Sequence, residues 1–466
     1  MDHYSSQLIG TDAAGYQNDL VVNLLRATAQ ALLFLVAASG GAAWAASGEP
    51  SAYVPSAAER IFAAAPQRLL QIRTLVVGSD RQSSTGSGFL VSADGLAVTN
   101  YHVVSQVALE PKTYRLEYAG ADGSKGELKL LAIDLPNDLA LVRLDRQDAP
   151  FFEFDEAAEG RGLAKGERLY SMGNPLDLGF TIVEGIYNGL VERSYNERIH
   201  FTGALNAGMS GGPAVTADGR VIGINVSKRT GGELLSFLVP ARFAVALLQR
   251  ARDRAPEPAR DFRAEIGRQL ADWQSGLYKS VDADGFRGIV FGPYQAPESA
   301  APWFTCWAQT NAGAIPKPRA GLNSTTCRSN TTLFVANDLV TGLIQLNHAY
   351  ARSVDLNEFQ FASFLSAQVQ PRQMGTGYVP RKWQTPPRCH EDFVAISASQ
   401  DRPPLRVTWC AQAYREFTGL YDVSVTAVTE DRGREALVSR LNLQAVGYAD
   451  AMALSKRFLE AVQWTK

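Results

Sequence analysis

The chain has 466 residues, 46% of them hydrophobic, which is enough apolar material for a large core and for two or three domains. Its 45 Lys plus Arg nearly balance 47 Asp plus Glu, so no global charge draws it to nucleic acid or to an acidic membrane surface. A globular protein without nucleic acid as a partner is expected.

Residues 1–46 read as an export signal. Arg26 precedes the apolar run "ALLFLVAASGGAAWA", which ends in the small-residue pattern Ala43-Trp44-Ala45. An uncleaved anchor is the rival reading, but the run is shorter than the ~20 residues a span needs and is broken by Gly40 and Gly41. The expectation is a periplasmic or extracellular protein, with no stable membrane span after cleavage and a short N-terminal segment over residues 47–66.

Residues 67–250 are dense in short strand-like runs. "SGFLVSADGLAVTNYHVV" reads as strand, Ala-Asp-Gly turn, strand, and "GPAVTADGRVIGINVSK" repeats that hairpin logic. "LKLLAID" and "DLALVRL" add two more strands, and helical periodicity is nearly absent before "ARFAVALLQRAR". The region is expected to be all-β and closed into barrels, with His102 at the end of a strand.

The polar, Pro-containing stretch "RDRAPEPARD" marks a linker at residues 251–261. Beyond it Phe262, Ile266, Leu270, Trp273 and Leu277 recur at helical spacing, with Asp261 placed to cap the first turn. They open an α+β region, residues 262–466, that closes on a helix presenting Ala451, Leu454, Phe458 and Val462 along one face. All four cysteines lie there, and an even count in an exported chain points to two disulfides. Cys306 and Cys327, like Cys389 and Cys410, are 21 residues apart, so this local pairing is expected among the three connectivities. A zinc site is disfavoured because ligand spacing is absent, and "TCWAQT" against "WCAQAY" is a weak internal echo with its cysteines in different registers.

The glycine-crowded run "GALNAGMSGGPAV", residues 203–215, surrounds Ser210. A hydroxyl is a poor nucleophile at neutral pH and needs a neutral imidazole backed by a carboxylate. His102, in "LAVTNYHVV", and Asp138, at the head of an apolar strand, are the candidates; Asp134 competes but lies across the Pro136-Asn137 turn. A sharp turn at Gly208 would aim the amides of Gly208 and Ser210 at an oxyanion. "GMSGG" also fits the nucleophile elbow of the α/β-hydrolases, but there the acid and histidine follow the serine on a parallel sheet. His200 is expected to be a strand residue, and His348 and His390 structural or surface groups.

"GSGFLVSADGLAVTNYHVV", "NDLALVRL", "SMGNPLDLGFTIVEGIYNGLVERS", "GALNAGMSGGPAV" and "SFLVPARF", in that order, resemble the trypsin-like serine proteases and in detail their bacterial HtrA/DegP branch. The resemblance implies a chymotrypsin-like double β-barrel, with His102 as general base, Asp138 as its orienting carboxylate and Ser210 as nucleophile. Asn100 and Tyr101 stand where the branch has two asparagines, and no PDZ-type pattern follows residue 255. Trypsin-type enzymes that cut after Lys or Arg carry an Asp six residues before the serine; here Ala204 stands there, followed by Leu205. With Phe237 and Leu238 on the wall strand, the resemblance implies a preference for small or medium aliphatic residues. A serine endopeptidase acting on polypeptides without cofactor or metal is expected, in protein quality control or processing. The alternative is a proteolytically latent, chaperone-like binding factor.

Overall fold

The computed structural model describes residues 55–155, 162–228, 234–255, 260–369, 380–395, 404–430 and 433–465. The expected export segment therefore lies outside the described residues, as does the centre of the 251–261 linker. Helix α1 (Ala57–Ala64) starts at a capping box in which the Ser56 hydroxyl accepts the Glu59 amide and the Glu59 carboxylate accepts the Ser56 amide. Among the described residues no helix is long and apolar enough to cross a membrane.

Two antiparallel barrels follow. The first is formed by β1 (Leu69–Val76), β2 (Gln82–Leu90), β3 (Leu96–Thr99), β4 (Tyr114–Gly120), β5 (Lys125–Asp134) and β6 (Leu139–Leu144), in the order β1-β2-β3-β6-β5-β4, closed by the β1–β4 pairing. The second is formed by β7 (Arg168–Gly173), β8 (Thr181–Leu190), β9 (Ile199–Phe201), β10 (Pro213–Val215), β11 (Val221–Lys228) and β12 (Ser236–Pro240), closed by β10 against β7. The hairpin turns between β2 and β3 and between β10 and β11 place Gly95 and Gly219 at φ +85° and +82°, the left-handed region in which glycine meets no Cβ penalty. This is the expected chymotrypsin-like double barrel.

One element departs from the expected pattern. Between β3 and β4 the chain forms helix α2 (Tyr101–Leu109), so His102 lies in a first helical turn rather than at a strand end. Val103, Val104, Ala108 and Leu109 are buried along it, but nine residues are too few for their period to stand out among flanking strands. Helix α3 (Ala241–Ala251) ends the barrel region.

Helix α4 (Arg263–Asp284) buries Ile266, Leu270, Trp273 and Leu277, the face read from the sequence, and the Asp261 carboxylate accepts the Arg263 amide at 2.9 Å. Next come β13 (Phe286–Phe291), β14 (Tyr294–Ser299), β15 (Phe304–Thr310), β16 (Ala320–Ser329), β17 (Leu333–Ala336), β18 (Leu339–Thr341) and β19 (Ile344–Ser353). Helix α5 (Glu358–Val369), β20 (Arg388–Val394), β21 (Leu405–Ala413), β22 (Leu420–Val428), β23 (Glu435–Gly447), α6 (Tyr448–Glu460) and β24 (Gln463–Trp464) complete the chain. Its main layer is a seven-stranded antiparallel sheet, β15-β16-β19-β23-β22-β21-β20. Each outer hairpin of that sheet carries a disulfide between directly paired residues, Cys306–Cys327 and Cys389–Cys410. The two echoing segments are not equivalent: Cys306 is on the outermost strand of its hairpin and Cys410 on the inner strand of the other.

The apolar core does not stop at the end of the barrels. Leu70 and Ile72 of the first barrel and Val104 and Leu109 of α2 belong to the same buried cluster as Ile266, Leu270, Leu346 and Leu441 of the C-terminal region. Polar ties cross the same boundary: the Phe262 amide donates to the Ala108 carbonyl, and Gln269 bonds both the Leu135 amide and the Ile133 carbonyl.

Candidate active site

The first turn of α2 needs acceptors for its free amides. Asn100, at the N-cap position, makes no side-chain cap; its amide instead donates to the Asp138 carbonyl at 2.8 Å. The cap comes from just before the start of the neighbouring strand β6, where Asp138 Oδ1 accepts the His102 amide at 2.9 Å. Asp138 adopts φ +58°, a left-handed conformation tolerated by aspartate, and its carbonyl also accepts the Tyr101 amide. Thus fixed at both backbone and side chain, its second carboxylate oxygen lies 2.6 Å from His102 Nδ1. Burial opposes protonation of His102, but the charge and hydrogen bond of Asp138 outweigh it, so the imidazole is held above its ordinary value. Asp134, the competing carboxylate, is paired instead with Arg250 and Asn137.

Ser210 is placed by a buried polar network. Asn225, on β11, bonds the Met172 and Met209 carbonyls through its amide and takes the Ser171 hydroxyl on its oxygen, while its backbone accepts the Gly211 amide. Ser87, on β2, donates to the Gly208 carbonyl at 2.7 Å, accepts the Asn174 amide and sends its own amide to the Ser210 carbonyl. The serine loop is thereby clamped to both barrels. Its glycines are required by the closeness of this packing: a Cβ on Gly211, at φ +87°, would lie 2.2 Å from the Ser87 carbonyl oxygen, and one on Gly208, at φ +92°, 2.4 Å from that of Asn174. The amides of Gly208 and Ser210 find no acceptor among the described residues. The Ser210 hydroxyl donates to the Val226 carbonyl at 3.4 Å and makes no hydrogen bond to His102.

Four further residues were read as specificity determinants, and the structure divides them. Leu205 and Leu238 pack within the core of the second barrel, Ala204 is exposed, and Phe237 lines a cavity of about 440 Å³ beside His102 and Asp138. His200 tilts against Phe237, His390 is exposed, and His348 is buried between the Ser439 hydroxyl and the Pro297 carbonyl. Ser87 and Asn225 were not picked out from the sequence. An asparagine inside the apolar strand "VIGINV" was the available signal, since a buried amide demands partners.

Residues 86–224 match the family described as "Trypsin-like peptidase domain". Over 172 residues, 35% of this chain and 39% of the relative, the sequence is 35% identical to a Synechocystis sp. protein named as the serine protease HhoB. Over 219 residues, 45% of this chain and 44% of the relative, it is 30% identical to a Marinomonas sp. protein named as a DegP-like periplasmic serine endoprotease. A serine endoprotease structure from Yersinia pestis aligns at 24% identity and TM-score 0.37, covering 43% of this chain and 69% of that one. The chain spans about two-fifths of the length of the curated relatives it matches. Within it, residues 86–224 match the trypsin-like peptidase domain and are similar to HtrA/DegP-like serine proteases.

Proposed function

We propose that the protein is an exported serine endopeptidase in which His102, Asp138 and Ser210 act as base, orienting carboxylate and nucleophile. The observation that carries this reading is the 2.6 Å contact between His102 Nδ1 and Asp138, which fixes the tautomer leaving Nε2 unprotonated and able to accept a proton. The reaction requires the Ser210 side chain to turn from Val226 so that its hydroxyl donates to that nitrogen. The serine oxygen then bonds to the substrate carbonyl carbon while its proton passes to His102. The resulting oxyanion is received by the free amides of Gly208 and Ser210, and collapse returns the proton to the leaving amine and gives an acyl-enzyme that water hydrolyses. With Ala204 in place of a charged residue, small or medium aliphatic side chains are preferred at the cleaved residue. The periplasmic naming of the DegP-like relatives supports export and a role in processing or quality control of envelope polypeptides.

The hydroxyl's present bond to Val226 favours a second reading, a resting state that is proteolytically latent and binds polypeptides. A fluorophosphonate probe, with the adduct located by mass spectrometry and a casein digest run alongside, separates the two. Labelling of Ser210 with casein cleavage is expected. Label without cleavage supports latency, and absence of label supports a binding role. Ser210→Ala and His102→Ala should each lower turnover by about 10⁴-fold or more, because the members of a triad act as a unit.

A further inference from the structure

The hairpin β17–β18 alternates in a way that core packing does not require. Leu333, Val335, Leu339 and Thr341 turn inward and are buried, whereas their neighbours Phe334 and Val340, paired across the hairpin, form an outward apolar face with Val340 half exposed. That face is turned toward the catalytic cleft. Phe334 stands edge-on to the His102 ring at 6.0 Å and to Tyr101 at 6.3 Å. Two bonds hold the hairpin there: the Tyr101 hydroxyl donates to the Val335 carbonyl at 2.8 Å, and Thr341 shares a hydrogen bond with the Tyr414 hydroxyl. Tyr101 thus replaces a family asparagine with a group long enough to reach the C-terminal region.

We infer that this hairpin is a specificity element: Phe334 and Val340, together with Val226 and Phe237, form the apolar wall of a subsite beside His102 for an aliphatic side chain that flanks the scissile bond of a polypeptide substrate. The subsite is the cavity of about 440 Å³ already described, which has walls from both barrels and from the C-terminal region and a polar side lined by Asp138, Ser194, Asn196, Arg198, Asn330 and Thr332. That volume is within the range of pockets that bury small ligands. Its position ties it to the chemistry, since its lining includes His102 and Val226, whose carbonyl takes the Ser210 hydroxyl. Burying a flanking side chain against an aromatic edge and a valine favours leucine over glycine. The inference rests on the peptidase reading above.

The test uses fluorogenic peptides that differ only in Leu or Gly at each position flanking the cleaved bond, with the full chain, Phe334→Ala and Val340→Asp, each checked for wild-type thermal melting. The full chain should prefer Leu at one flanking position. Phe334→Ala should lower that Leu-to-Gly ratio in kcat/KM by about tenfold, the scale of a lost apolar contact in a pocket, with KM carrying most of the change. Val340→Asp, at an exposed position that does not threaten folding, should lower the ratio in the same direction. A ratio unaltered in both variants, or a gain in activity on all peptides as if a cover had been removed, overturns the inference while leaving the peptidase reading intact. A full chain that neither cleaves a peptide nor takes a fluorophosphonate on Ser210 overturns the peptidase reading itself.

Discussion

Two histidines show how one residue type is driven in opposite directions. His102 faces the Asp138 carboxylate, whose charge and hydrogen bond more than offset the cost of burial, so the ring is held above its usual range near 6.5. Because the proposed base must be neutral, kcat/KM should rise with pH through a midpoint above 6.5. Asp138→Asn should lower that midpoint and reduce turnover by about 10⁴-fold, which stopped-flow or peptide assays across pH would show. His348 has no carboxylate beside it. Its Nε2–H donates to the Pro297 carbonyl, Nδ1 accepts from Ser439, and burial depresses it to about 4. In the unfolded chain it takes up a proton below about 6.5, so the unfolded state binds more protons between that value and about 4. Stability is therefore lost as pH falls through this window, by up to roughly 3 kcal/mol from this residue. Urea unfolding at pH 7 and pH 4.5 should show a smaller difference in His348→Gln than in the wild type.

At the scale of elements, the two disulfides close equal loops but anchor unlike strands. The Cys389–Cys410 bond joins β20, whose side chains are almost all exposed, to the sheet interior, whereas Cys327 is fully buried beneath its hairpin. A loop of this length restricts the unfolded chain by about 3 kcal/mol. The double change Cys389→Ser and Cys410→Ser should lower the unfolding free energy by about that amount. Hydrogen exchange should rise over residues 388–394 ahead of the rest of the sheet, since apolar burial contributes little to holding that edge strand. The short helix α2 makes the complementary point: its first turn is capped by Asp138 from another segment, so the same carboxylate orders the helix and orients the ring carried on it.

For the molecule as a whole, the continuity of the core between the first barrel and α4 predicts joint unfolding. Six of the seven tryptophans, all except Trp44, lie after residue 262, so tryptophan emission reports mainly on the C-terminal region. Its denaturation midpoint should coincide with that for loss of fluorophosphonate labelling at Ser210. Leu270→Ala, fully buried on α4 in the core shared with the first barrel, should shift both together by about 2–5 kcal/mol. Separate midpoints would show two cores rather than one.

The alternating strands, the hairpin glycines, the amphipathic α4 and α6, and the candidate His, Asp and Ser were legible in the sequence because each follows from a local period, a turn requirement or a motif. The cysteine pairing was legible as a preference from equal spacing. What the tertiary structure alone decided depends on contacts between residues far apart in the chain: the capping of α2 by Asp138, the clamping of the serine loop by Ser87 and Asn225, and the division of Leu205 and Leu238 from Phe237. The placement of Phe334 against His102 belongs with these. The two residues are separated by 232 positions, and no local pattern encodes a distance that only the shared core of barrel and C-terminal region sets.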